Sequence, residues 1–216
     1  MKLQPVMRTD EHHLEKHELI LRMNKEKRPD VVFLGDSLTR RWEDNLSLWN
    51  EYFEEYNPAN FGVGGDCIEN VLWRVTNGQI DGINPRLFFV LIGTNNLWKD
   101  SEEEIVEGII EIVRVIHSKC TQSRVVVFGL LPREKDEGDN ECKTRIDSIN
   151  RWLRERAREN DYTYEYFGDV LLTQSGLVDK EIMPDGLHLN EAGYRVVGPH
   201  IRQIIEKYIE TPLEKI

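Results

Sequence analysis

Asp30-Val-Val-Phe-Leu-Gly-Asp-Ser-Leu-Thr-Arg-Arg-Trp42 is the stretch on which the reading of this chain turns. Its apolar run, Val31 to Leu34, has the unbroken form that a strand buried on both faces leaves in a sequence. The run stops at Gly35-Asp36-Ser37, and an amphipathic helical pattern follows. A corner of this kind sets Ser37 at the carboxyl end of a buried strand, the edge where open α/β sheets bind their ligands. The first N–H groups of the helix also present a positive end to an anion there. Two readings of Ser37 stay open on this stretch alone. One is a helix N-cap, the common fate of a serine before a helix. The other is a nucleophile.

The whole chain sets limits around this corner. Its 216 residues suffice for one domain with a substantial core, expected over 1–216 with a helical extension at 1–28. Apolar residues make up 39% and charged residues 31%, the balance of a globular protein with a strongly charged surface. A net charge of −11 argues against nucleic acid and anionic membrane as partners, since both need a basic face. No apolar run approaches the length of a membrane span, and Met1 to Arg28 lacks the apolar core of a signal peptide. Cys67, Cys120 and Cys142 are odd in number and far apart, so no disulfide framework is expected and a reducing cytoplasm is the default location.

Strands and helices alternate from the corner outward. Glu11 to Lys27 carries an imperfect helical stripe of Leu14, Leu19, Ile20, Leu21 and Met23, and with it His12, His13 and His17. Histidines four apart could share a metal, but no further ligand pattern completes a site, so a solvated helix face is expected there. Beyond Ser37, Trp42, Leu46, Leu48, Trp49, Tyr52 and Phe53 predict a helix with an aromatic inner face. Strands are predicted at Tyr56–Val63, Leu87–Ile92, Val125–Leu131 and, as an edge strand, Tyr162–Phe167. Between them fall helices at Ile68–Gly78, from Ser101 to about Ser118, and at Ile146–Arg158. A last helix follows Leu189, with Pro199 bending or starting it. Ser101 with Glu104 reads as a capping box, which accounts for the triple acid Glu102-Glu-Glu104 without a metal. Pro132 to Glu141 reads as a mobile polar connection. The alternation predicts a parallel sheet covered on both faces.

Chemistry collects at the ends of three strands. Gly-Asp-Ser-Leu38 follows the first, Gly62-Val-Gly-Gly-Asp66 the second and Gly93-Thr-Asn-Asn96 the third. A fourth cluster, Asp185-Gly-Leu-His188, precedes the final helix. Acyl transfer from a serine needs an adjacent base, best an imidazole, and a carboxylate to fix that imidazole's tautomer. It also needs preorganised donors for the oxyanion. Ser37, His188 and Asp185 supply the first three, with Asp185 and His188 close enough in sequence to meet in one turn. Gly65, Asn95 and the Ser37 N–H supply the donors. Each cluster alone keeps a plain alternative. The glycines could form only a tight turn or a phosphate-cradling loop, Asn95 could cap its loop, and Asp185 and His188 could be a surface pair. All four in this order along one sheet edge point together to acyl transfer.

In that order the four blocks resemble those of the SGNH (GDSL) hydrolase superfamily. Asn60-Phe-Gly-Val-Gly-Gly-Asp66 with Val71-Leu-Trp-Arg74, and Phe128-Gly-Leu-Leu-Pro-Arg133, are most similar to its intracellular platelet-activating-factor acetylhydrolase branch. The resemblance implies a three-layer α/β/α flavodoxin-like fold with a five-stranded parallel sheet. It implies Ser37 as nucleophile, His188 as base and Asp185 as its orienter, with Gly65 and Asn95 completing the oxyanion hole. Asp36, Arg40, Trp98 and Arg133 are candidate substrate contacts, although Asp36 is also expected to stabilise the corner through local hydrogen bonds and Arg40 could reach only the surface. Neither a metal nor a cofactor is implied, and the related branch suggests a homodimer. The expected activity is release of a short acyl group, acetyl foremost, from a small oxygen ester. The alternatives are a lysophospholipase or thioesterase of the same family, a non-catalytic binding module, and a nucleotide binder. The last lacks the Gly-x-x-x-x-Gly-Lys-Ser/Thr pattern.

Overall fold

The computed structural model describes residues 4–134 and 140–209. Five strands form one parallel sheet: β1 (Val31–Gly35), β2 (Pro58–Gly62), β3 (Leu87–Leu91), β4 (Arg124–Phe128) and β5 (Thr163–Glu165). Their spatial order is β2-β1-β3-β4-β5, the flavodoxin order. β1 pairs with β2 in the register Val31↔Pro58 and with β3 in the register Val31↔Leu87. The chain therefore reverses its direction of winding between β1 and β3. This is the switch point at which a crevice opens beyond the strand ends.

Alternation along β1 divides the core. Val32 and Leu34 face a cluster filled by α1 (Glu11–Glu26), α4 (Ile68–Thr76), α5 (Glu102–Lys119) and α6 (Asn140–Arg156). Val31 and Phe33 face the opposite cluster, closed by α2 (Ser37–Arg40), α3 (Leu46–Phe53) and α7 (Glu191–Ile209). Covering on both faces explains why the strands read as continuous apolar runs. The second cluster is aromatic: Trp42 meets Tyr194 at 4.5 Å and Phe53 at 4.9 Å between ring centroids, and Phe33 meets Trp49 at 4.9 Å.

Several local expectations hold and several change. α5 opens on the expected capping box, with the Glu104 N–H donating to Ser101 Oγ at 3.2 Å and the Ser101 N–H to Glu104 Oε2 at 3.1 Å. The segment after Ser37 is three pieces: α2, a 3-10 turn over Arg41–Asn45, and α3. Its aromatic inner face forms, but Leu46 is exposed at the start of α3. α6 begins at Asn140, six residues before the predicted start, because its first turns are polar and carry no apolar period. Of the expected loop Pro132–Glu141, residues 135–139 lie outside the described residues. Pro199 lies inside α7.

α1 departs most from its sequence reading. Its buried residues are His13, Lys16, His17 and Ile20, whereas Leu19 is largely exposed. That stripe keeps helical spacing but is mostly polar. His13 and His17 are not on a solvated face, whereas His12 is exposed as expected. His17 lies against Trp73 at 5.0 Å, His13 donates toward Asp66, and Lys16 pairs with Glu43. Among the described residues no three His, Cys, Asp or Glu side chains are grouped to hold a metal. No described helix is long and apolar enough to cross a membrane.

Candidate active site

β1 ends in Gly35, and the next residue, Asp36, caps α2 by accepting the Leu38 N–H at 2.9 Å. The cap at this corner is thus Asp36, and the Ser37 side chain is released from that duty. Ser37 Oγ lies 2.9 Å from His188 Nε2. His188 comes from the loop before α7, 151 residues away in sequence. On the far side of the ring, Nδ1 lies 2.7 Å from Asp185 Oδ2. Asp185 Oδ1 accepts the Leu187 and His188 N–H groups at 3.0 and 2.7 Å, so the turn that carries the carboxylate also fixes the histidine backbone. Gly186, at φ +73° between them, has no room for a Cβ, which would lie 2.0 Å from the Glu134 carbonyl oxygen.

The electrostatics assign the tautomer. Desolvation raises the Asp185 carboxyl, but hydrogen bonds from the His188 and Leu187 N–H groups and from the imidazole outweigh it and hold the group at about 2. Asp185 is therefore ionised throughout the range in which an imidazole titrates. An ionised carboxylate takes the Nδ1 proton, leaving Nε2 as acceptor for the Ser37 hydroxyl.

The two remaining blocks meet beside this pair. Val63 to Asp66 form a turn closed by the Asp66 N–H donating to Val63 O at 3.2 Å, with Gly65 at φ +78°. Asn95 lies in a 3-10 turn after β3 and donates through Nδ2 to Asp66 O at 2.8 Å, which keeps its second amide hydrogen for another acceptor. Asn96 is a different case. It is fully buried, accepts the Ile68 N–H at 3.0 Å and donates to Glu69 and Asp100, so it holds α4 to the loop.

The four candidate substrate contacts separate. Arg133 donates to Thr94 O at 3.0 Å and its guanidinium lies 5.7 Å from the Trp98 ring centroid, so both stand at the rim beside Asn95, with Trp98 half exposed. Arg133 also lines a cavity of about 420 Å³ between α6 and the 172–178 segment, which neither Ser37 nor His188 lines. Arg40 pairs with Asp44 on its own helical surface. Asp36 is completely buried and caps α2, which is the local hydrogen bonding at the corner expected of it.

Burial pushes the Asp36 carboxyl up to about 7, against the Leu38 hydrogen bond that favours its charge, while Oδ2 has no partner among the described residues. The folded protein thus keeps a proton that an unfolded aspartate has released, so stability falls as pH rises from the ordinary value of 3.8 through about 7. Asp36→Asn should remove that slope. Between about pH 5 and about pH 8 its melting temperature should drop less than that of the wild type. Parallel drops would refute this.

Sequence reasoning missed the support beneath the turn. Asp66, fully buried, receives Arg74 Nε at 2.8 Å, Arg8 Nη1 at 2.8 Å and His13 Nδ1 at 3.1 Å. Desolvation works to raise its carboxyl, but the His13 hydrogen bond and the Arg74 charge prevail and hold it below the usual range. Arg74 is itself without exposure and also donates to the Phe61 and Gly35 carbonyls, at 3.0 and 3.3 Å. The available signal was an arginine within the apolar period of α4, at a position where a helix buries its side chains.

A flavodoxin-order sheet with a serine, an imidazole and a carboxylate in contact at its β1 edge defines a class, the three-layer serine hydrolases. A GDSL-like lipase/acylhydrolase family model matches residues 33–196. Platelet-activating factor acetylhydrolase IB subunit alpha2 from Homo sapiens is 32% identical over 209 residues, 95% of this chain and 89% of that protein. The alpha1 subunit from Rattus norvegicus is 35% identical over 184 residues, 84% of this chain and 77% of that protein. A GDSL-like lipase from Bacteroides thetaiotaomicron shares the fold with a TM-score of 0.71 at 21% identity, covering 88% of this chain and 97% of that one. The chain belongs to the GDSL-like lipase/acylhydrolase family and is a serine ester hydrolase.

Proposed function

We propose that this enzyme releases short acyl groups, acetyl foremost, from oxygen esters through an acyl-serine intermediate on Ser37. The observation that carries the reading is the 2.9 Å contact of Ser37 Oγ with His188 Nε2, backed by Asp185. Ser37 Oγ attacks the ester carbonyl carbon as its proton passes to His188. The Ser37 N–H, the Gly65 N–H and the Asn95 amide then share the oxyanion charge, an interaction that strengthens only as charge develops. Collapse breaks the bond to the alcohol oxygen, which takes the proton from His188 and leaves. Water repeats the sequence on the acyl-serine, giving up a proton to His188 and restoring Ser37. Asp185 stabilises the imidazolium in both halves without taking a proton.

The preference for acetyl is supported by the relatives named as acetylhydrolase subunits. In this reading the chain acts as one catalytic unit that includes α1, whose buried face packs on α4. We also read it as a cytoplasmic homodimer. The three free cysteines suit a reducing compartment, and the dimer follows from the resemblance to the acetylhydrolase branch.

The test is hydrolysis of p-nitrophenyl acetate, butyrate, octanoate and palmitate by wild type and Ser37→Ala in parallel. Ser37-dependent turnover that falls with chain length is the expected result. Turnover that rises with chain length would replace the short-acyl reading with a lysophospholipase-like one. Equal rates for the two proteins on every ester would overturn the proposal.

A further inference from the structure

Residues Val6 to Asp10 lie along the turn that carries Gly64, Gly65 and Asp66, and the reaction above gives them no part. The Val6 N–H donates to Glu69 O at 2.9 Å and Asn70 Nδ2 donates to Val6 O at 3.0 Å, which docks one end of the segment on α4. At the other end Asp10 caps α1, accepting the His13 N–H at 3.2 Å. Arg8 sits between these anchors. Its Nε and Nη2 donate to the two Asp10 carboxylate oxygens at 2.8 and 3.0 Å, a forked pairing that fixes the plane of the guanidinium. Its Nη1 then donates to Gly64 O at 2.7 Å and to Asp66 Oδ1 at 2.8 Å. A Cβ built on Gly65 would lie 3.5 Å from Nη1, so the guanidinium covers that glycine from outside.

Asp66 links this contact to the site. Its carbonyl oxygen is the acceptor for Asn95 Nδ2, while its carboxylate is held by Arg8, His13 and Arg74 together. Gly65 has the wide conformational freedom of glycine, and its φ of +78° is kept only as firmly as its two neighbours are kept. Oxyanion donors stabilise a transition state only when they need no reorganisation. A displacement of about 1 Å in such a group can cost roughly 10²-fold in rate.

We propose that Val6 to Asp10 form a strap and that Arg8 is a positioning residue of the oxyanion hole. It holds the Gly64–Asp66 turn and, through the Asp66 carbonyl, the Asn95 amide in the geometry required by the tetrahedral intermediate. The proposal rests on the reading of Gly65 and Asn95 as oxyanion donors.

The experiment uses the full chain with Arg8→Ala and Arg8→Lys. It measures steady-state hydrolysis of p-nitrophenyl acetate, and inhibition by a short-chain trifluoromethyl ketone. The ketone adds to the serine and places an oxyanion in the hole. Arg8→Ala should lower kcat on the order of 10- to 100-fold with KM within about twofold, and weaken the ketone by a similar factor. Arg8→Lys keeps the charge but loses the fork, and should fall between. In an Asn95→Ala background the loss from Arg8→Ala should shrink, because the two changes act on one constellation. Unchanged kcat, or a lower kcat with undiminished ketone affinity, would overturn the strap. If Arg8→Ala does not fold, Arg8→Lys decides by the same two readouts. A wild type without Ser37-dependent turnover would overturn the esterase reading itself, and with it any role of the strap in catalysis.

Discussion

Replacing Ser37 by alanine should lower kcat by roughly 10⁴- to 10⁶-fold while leaving KM within a few fold. Among the described residues the hydroxyl donates to His188 alone and caps no helix, since Asp36 does that, so its loss removes the nucleophile without unfolding the corner. His188→Ala should cost about as much, and the double variant little more, because a nucleophile deprived of its base gains almost nothing from the parts that remain. Asp185→Ala should cost less than either, its carboxylate being 56% exposed and water able to take over part of its charge stabilisation. Steady-state kinetics on p-nitrophenyl acetate, with melting temperatures to show that each variant is folded, provide the check. Turnover within tenfold of wild type in a folded Ser37→Ala protein would remove the serine from the mechanism.

Arg74→Met is expected to have the largest effect on stability, about 3–5 kcal/mol. The methionine fills much of the space but strands the Asp66 carboxylate with two partners and removes the Arg74 hydrogen bonds to the Phe61 carbonyl and Gln79, while the Gly35 carbonyl keeps the Val63 N–H. Burial makes these losses expensive, because neither Arg74 nor Asp66 has any exposed surface and water cannot replace the missing group. In a chain of this size the melting temperature should fall on the order of 10 °C. Adding Asp66→Asn to Arg74→Met removes the stranded charge and should recover part of the loss. A fall of less than about 1 kcal/mol for Arg74→Met would show that the arginine is not the buried support described above.

Much of the catalytic edge was legible in the sequence because its signals are local. The apolar run Val31–Leu34 and the abrupt Gly35-Asp36-Ser37 corner require only strand burial and helix entry to be read. Four blocks in a fixed order identified which serine, histidine and aspartate to bring together, although Ser37 and His188 stand 151 residues apart. Sequence could not say whether Ser37 capped its helix, since either Asp36 or Ser37 has the chemistry to do so. Nor could it find the early start of α6, where the first turns are polar and periodicity is silent.

The strand order, the polar inner face of α1 and the Asp66 support were decided by tertiary structure alone. Hydrophobic periodicity reports where apolar groups leave water, and it assigns a polar residue to the surface by default. A polar group can be buried only if a partner arrives to satisfy it. For His13 and Arg8 that partner is Asp66, 53 and 58 residues further along, on the turn that follows β2 where it pairs with β1. The sequence by itself determined what can react at this edge. The folded chain decided what holds those groups still, because that depends on contacts between residues distant in sequence.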